Sequence, residues 1–327
     1  MTETTETKKS NFNSKHVKQI VNDNAALIAF VILVITAIIL RGDTFLQPVN
    51  LLNIMRSNSI VGIIALGMTL VIVMGGVNLA VGSLLALAGW IAIAVFNATH
   101  SVVLALLSCM AVGIMFGAME GVVVAKFKVP AFIATLGTMT IYRSIALFAL
   151  EGGGLMVDRD YSGPYAFISN TDLFGIPLPI YYWIILSIAA YIFTSHTAIG
   201  RHIFATGSNE KAAMLSGIKV DRVRILAFAL CGVMVALAAV VETSRVQAIS
   251  SSASGMTYNM DAIAAVVIGG ASLMGGKAKI RGTFFGVMTL GVITNLLQIM
   301  GVNSFLHGAA RGLIIIAAVV LQKRLDK

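Results

Sequence analysis

Charge is scarce in this 327-residue chain: Asp, Glu, Lys and Arg make up 11% of it, against about 25% in ordinary soluble domains. That shortage excludes a conventional water-soluble globule. Its counterpart is a 58% hydrophobic composition and a mean hydropathy of +0.92. Cysteine is nearly absent. Cys109 and Cys231 both fall inside apolar runs, where they read as small buried hydrophobes rather than a disulfide or a metal pair. Familiar reaction motifs are missing as well. There is no GxxxxGKS/T loop, no HExxH, no CxxC and no GxSxG elbow, so the chain cannot cradle ATP in the P-loop manner and shows no catalytic constellation. Nor are carboxylates paired within the apolar runs as a proton relay would need.

What is present is a succession of apolar runs, each near the roughly 20 residues that cross a bilayer as a helix. The expected fold is all-α: a polytopic membrane protein of about ten spans, near 24–41, 57–75, 79–98, 102–125, 129–150, 180–196, 224–243, 259–276, 282–300 and 304–322. Residues 1–23 form a polar cytosolic tail, 24–322 the transmembrane domain and 323–327 a cytosolic C-terminal tail. The first run lacks a small-residue cleavage site and ends at Arg41-Gly42-Asp43, so it is expected to be a retained span. The formal net charge of +9 does not indicate nucleic acid, because the basic residues lie in short loops. With both termini inside, almost all of them fall on the cytosolic side, and only Arg41, Arg56, Arg159 and Arg245 lie in outer loops. The longest outer loop, 151–179, is expected to be irregular. It is acidic, with Gly152-Gly153-Gly154 and Pro177/Pro179, and could meet an extracytoplasmic partner or merely connect two spans.

One polar island, Thr197 to Arg224, interrupts the apolar pattern. Ser208 or Asn209 can cap a short helix there, with Glu210 in its first turn and Gly217 as its C-cap. Ala212, Ala213, Leu215 and Ser216 give it a small-residue face that would let another backbone approach, which suits a docking helix for a cytosolic partner. The alternative is a solvated loop anchored by positive charge.

Two glycine-rich interruptions, Gly75 to Gly82 and Gly269 to Gly276, share Gly, Gly, Leu and Gly at the same offsets. Such breaks mark either a substrate path or close helix packing. Few ionisable residues lie at membrane depth: Glu120, Arg143, Glu242, Asp261 and Arg311, with His307 at the start of the last span. Arg143, Glu242, Asp261 and His307 sit near expected span ends, from which they could reach the headgroups.

Together these stretches resemble the permease subunits of ribose/xylose/galactose-type bacterial ABC sugar importers, over nearly the whole chain. The carrying motifs are Ile64-Ala65-Leu66-Gly67-Met68-Thr69, Gly75 through Ser83, and Pro130 through Met139. Others are Gly200-Arg201 through Gly217, Asp261 through Val267 with Gly269-Gly270, and Gly275-Gly276-Lys277 with Gly282-Thr283. The chain departs from the family's usual GxDLSVG, carrying Asn78 and Ala80 instead, so a charged role at position 78 is not carried over. The resemblance implies a fold like the ten-helix-per-subunit importers of the vitamin B12 kind. Its implied partners are a second permease subunit, identical or closely related, a two-domain ATPase that binds ATP and Mg, and a periplasmic sugar-binding protein, all at a bacterial inner membrane. It also implies that Arg201, Ser208, Asn209, Glu210, Lys211, Ala212, Ala213, Leu215 and Gly217 couple to the ATPase. If the binding protein selects the sugar, the pore should bind it weakly through a few polar groups, for which the candidates are Asn78, Ser83, Thr135, Thr138, Asn295 and Gln298. No cofactor, metal or catalytic role is expected on this chain. The rival readings are an ion-coupled secondary transporter, a related permease for branched-chain amino acids, nucleosides or a signalling sugar, and an integral-membrane enzyme.

Overall fold

The computed structural model describes residues 24–303, 306–310 and 312–313. Among them, eight helices are long and apolar enough to cross a membrane. They are α1 (Ala25–Phe45), α2 (Pro48–Val73), α3 (Val81–Thr99), α4 (Val102–Ala125), α5 (Ala131–Ala149), α7 (Leu178–His196), α10 (Val220–Val246) and α12 (Ile280–Ile299). Shorter helices are α6 (Ser162–Asn170), α8 (Ala198–Ser208), α9 (Glu210–Leu215) and α11 (Tyr258–Ile268). Four short strands complete the set: β1 (Gly154–Met156), β2 (Asp172–Leu173), β3 (Ile176–Pro177) and β4 (Ala248–Ser250).

Local chemistry sets the helix starts. Pro48 opens α2 and Pro179 lies in the first turn of α7, where a missing N–H costs nothing. Ser101 caps α4 by accepting from the Leu104 amide. The middle of the bundle is α2, α3 and α10, while only 6% of the apolar window of α1 is buried. The seam between α4 and α10 is built from glycine. A Cβ on Gly113, Gly117 or Gly121 of α4 would strike the α10 backbone between Ile225 and Gly232. The two backbones therefore pack directly, as small residues allow in a bilayer.

The structure revises the sequence expectation in two places. The eighth expected span, 259–276, is not one helix: α11 has 11 residues, or about 16 Å at 1.5 Å per residue, roughly half a crossing. It ends where Gly269 is followed by Gly270 at φ +86, and turns at 251–257 lead into it. The loop 151–179, expected to be irregular, is ordered. β1 pairs antiparallel with β4 (Leu155 opposite Ile249), and β2 with β3. α6 is fastened to α10 by Tyr165 to Thr243 at 2.7 Å and Ser169 to Ser244 at 2.6 Å. Burial pushes the Tyr165 phenol above its usual range. The tenth expected span, 304–322, lies largely outside the described residues, as do Arg311 and both tails.

Candidate functional site

At one end of the bundle the polar island folds into two short helices. Thr197 caps α8, accepting from the Gly200 amide at 3.0 Å. Asn209 caps α9 by accepting from Ala212 N at 3.0 Å, and Ser208 belongs to the end of α8 instead. Gly217, at φ +83, closes α9: its amide reaches Met214 O and the Ile218 amide reaches Ala213 O, both at 3.0–3.1 Å. That pattern is a Schellman motif. Glu210 is tied to Arg224 of α10 at 2.8 Å, and Lys128 to Asp221 at 3.0 Å. Of the small-residue face expected from sequence, Ala212, Leu215 and Ser216 are exposed and Ala213 is not. Ala213 points into the protein at 4% exposure, whereas Leu215 is 91% exposed with Met214 beside it. Arg201, Lys211 and Ala212 are also exposed.

Behind α8 three backbones meet without side chains between them. The Gly276 amide donates to the Val73 carbonyl at the end of α2, at 2.8 Å. A Cβ on Gly207 of α8 would overlap that same carbonyl, and one on Gly276 would meet Ser208. This junction joins the polar island to the last residue of α2 and to the 269–279 loop between α11 and α12.

Helix α2 and the two helices which that loop connects, α11 and α12, line a polar cavity of about 300 Å³. Its hydrogen-bonding groups come from Asn53, Ser57 and Asn58 of α2, from Thr257, Tyr258 and Asp261 at the start of α11, and from Thr294, Asn295 and Gln298 of α12. Thr257 donates to the Asp261 carboxylate at 3.0 Å, and Asn58 donates to Ile54 O at 2.7 Å. Asn295 is also paired with Asn50 through two reciprocal amide bonds, at 2.7 and 3.2 Å, which fasten α12 to α2. The volume sits at the lower end of the usual small-ligand range of about 300–1,000 Å³.

A second polar group lies inside the bundle. Asn78, in the break between α2 and α3, donates to Glu120 of α4 at 2.6 Å and accepts from the Ala80 amide at 2.9 Å. Thr138 of α5 donates to Glu120 at 3.2 Å, and Thr135 donates to Val77 O at 3.1 Å. All four side chains are buried. Among the described residues, no three His, Cys, Asp or Glu side chains converge as a metal site would require.

Comparison with known proteins follows this geometry. The family described as "Branched-chain amino acid transport system / permease component" matches residues 50–319. The chain belongs to that permease family. Among curated relatives, it is 39% identical to the ribose import permease protein of Haemophilus influenzae over 91% of this chain and 92% of the relative. It is 37% identical to the ribose import permease of Escherichia coli K12, covering 92% and 94%. Identity is 30% to the L-arabinose transport system permease of the same strain, covering 92% and 90%. No solved structure matches.

Within this permease, the residues expected along the substrate path divide into two groups. Asn295 and Gln298 line the cavity. Asn78, Thr135 and Thr138 do not: Asn78 and Thr138 bond Glu120, and Thr135 bonds the Val77 carbonyl in the helix break. Ser83 is likewise buried, one turn into α3. The sequence did not single out Asn53, Ser57, Asn58, Tyr258 or Thr294, and it left Asp261 near a span end from which it could reach the headgroups. Only the polar spacing along α12 carried a signal for any of them. Arg143 and Glu242 also lie near expected span ends, from which they could reach the headgroups. Instead Arg143 donates to Ser251 O and Ser254 O at 2.7 and 3.0 Å, and Glu242 is buried.

Proposed function

We propose that this permease is the pore subunit of an ATP-driven importer that carries a monosaccharide of the ribose class across a bacterial inner membrane. The observation that carries the reading is one continuous line of contact. It runs from the capped helix α9 through α8 and the Gly207–Val73–Gly276 junction to the three helices that wall the polar cavity. A cytosolic ATPase, holding ATP and Mg, grips the exposed Leu215 and Met214. When it closes, α8 and α9 move, and the junction passes that movement to the end of α2 and the loop joining α11 to α12. The cavity walls then shift relative to one another, opening it first to a periplasmic sugar-binding protein and then to the cytosol. In this arrangement α8, α9 and both termini lie in the cytosol, and a second permease subunit completes the pore.

The chemistry of the cavity suits a sugar. Its amides, hydroxyls and single carboxylate match the donor and acceptor pattern of sugar hydroxyls, with each net hydrogen bond worth about 0.5–1.5 kcal/mol. A few such bonds favour weak binding and easy release, and selection is left to the binding protein. ATP hydrolysis belongs to the partner subunit.

The test is reconstitution of the chain with its ATPase and binding protein in liposomes, followed by uptake of labelled pentoses and hexoses. ATP-dependent accumulation of one sugar is expected. Accumulation driven by a proton gradient without ATP would replace this reading with an ion-coupled carrier.

A further inference from the structure

A second, larger cavity of about 670 Å³ lies at the end of the bundle that carries α8. It is distinct from the polar cavity, and the transport reading does not use it. Arg201 of α8, Lys279 at the N-cap of α12 and Arg281 in the first turn of α12 converge on it, and no Asp or Glu lines it among the described residues. Arg201 and Arg281 have no carboxylate partner among the described residues. Arg281 instead lies over the Tyr191 ring, 5.0 Å from its centroid, which holds the guanidinium at the cavity wall. The first turn of α12 also contributes to the wall, and Lys279 forms no side-chain cap there. The amide ends and the two arginines therefore favour the same sign of charge.

Thr194 and Ser195 add hydroxyls to the lining, and Leu27, Phe204 and Phe285 give it an apolar side. Leu27 begins the exposed face of α1, which continues through Ile28, Val31, Ile32 and Ile35. An anion in this cavity thus has a greasy helix face running away from it along the membrane direction. A free phosphate would leave that face unused, whereas an acyl chain would cover it. The geometry points to a seat for the phosphate headgroup of an anionic phospholipid, with its acyl chains lying along α1. This placement stands on the membrane fold alone and holds whatever solute the permease carries.

The test uses the full chain purified in detergent, with short-chain phosphatidylglycerol, phosphatidylcholine and inorganic phosphate as probes and native mass spectrometry as the readout. Wild type should retain phosphatidylglycerol and not phosphatidylcholine, and millimolar phosphate should not displace it. Arg201→Gln combined with Arg281→Gln should weaken phosphatidylglycerol binding by roughly tenfold or more, since each basic residue near a membrane surface attracts anionic lipid appreciably. Arg222→Gln, outside the cavity, should leave binding unchanged. The proposal is overturned if the double variant binds like wild type, or if Arg222→Gln weakens binding as much. Displacement by phosphate would also overturn it, because the seat would then serve a soluble anion. If the double variant misfolds, a photo-crosslinking residue replacing Phe204 gives a second measurement: adducts with phosphatidylglycerol support the seat, and adducts with phosphatidylcholine alone remove it.

Discussion

Asn78 donates to Glu120 across 42 positions of sequence, at 2.6 Å and out of reach of water. This bond ties the break between α2 and α3 to the middle of the bundle. It also gives a physical reason for an amide at position 78. An aspartate there would set a second carboxylate against the first, whereas the amide supplies the donor that Glu120 needs. Asn78→Ala should therefore destabilise the fold by about 1–3 kcal/mol, the cost of leaving a buried polar group short of a partner. Thermal unfolding of Asn78→Ala, Glu120→Gln and the double variant in detergent measures the coupling. Strict additivity would show that the pair does not interact energetically.

Gly207 offers a test of mechanical transmission. Gly207→Val inserts a branched side chain into the Val73 carbonyl and the Gly276 backbone. A strain of about 1–3 kcal/mol is expected from such overpacking. In the reconstituted complex, ATP hydrolysis should persist while sugar uptake falls strongly. Equal losses of hydrolysis and uptake would point to failed assembly instead.

Gly291 makes room for the Asn58 side chain in the cavity wall, because a Cβ there would overlap the Asn58 amide. Gly291→Ala should raise the sugar concentration needed for half-maximal uptake by several-fold and leave basal ATP hydrolysis unchanged, since about 1 kcal/mol is lost with one hydrogen bond. An unaltered concentration dependence would remove Asn58 from the sugar path.

Leu215 projects almost fully into solvent at the tip of the polar island. Leu215→Asp should weaken ATPase binding by about 2 kcal/mol or more if the side chain is an anchor at that interface, without lowering the melting temperature of the free permease. Glu210→Gln, by contrast, should change stability by less than about 1 kcal/mol, because its bond to Arg224 is partly exposed. Co-purification of the ATPase with each variant separates the two effects.

Most of the spans could be read from sequence because membrane helices announce themselves by length and apolarity alone. Asn209, Glu210 and Gly217 also marked the ends of α9, since capping is a local matter decided within a few residues. Direction was harder. The spacing of Ala212 and Ala213 could not say which would face inward, because that depends on α8 and α10 packing behind them. The half-helix α11 was hidden because its apolar residues run on into the glycine pair, and composition does not reveal where a helix stops crossing. Asn78, Thr135 and Thr138 looked like pathway residues because they are polar at membrane depth. Their partners, Glu120 for Asn78 and Thr138 and the Val77 carbonyl for Thr135, are set by packing between helices, so these contacts emerge only in three dimensions.

The glycine seam between α4 and α10 bears on how this molecule can change shape. With Gly113, Gly117 and Gly121 set directly against the α10 backbone around Gly232, there is no layer of side chains to swap rotamers or slide. That pair should behave as a stationary keel. Whatever swings during a transport stroke must do so around it.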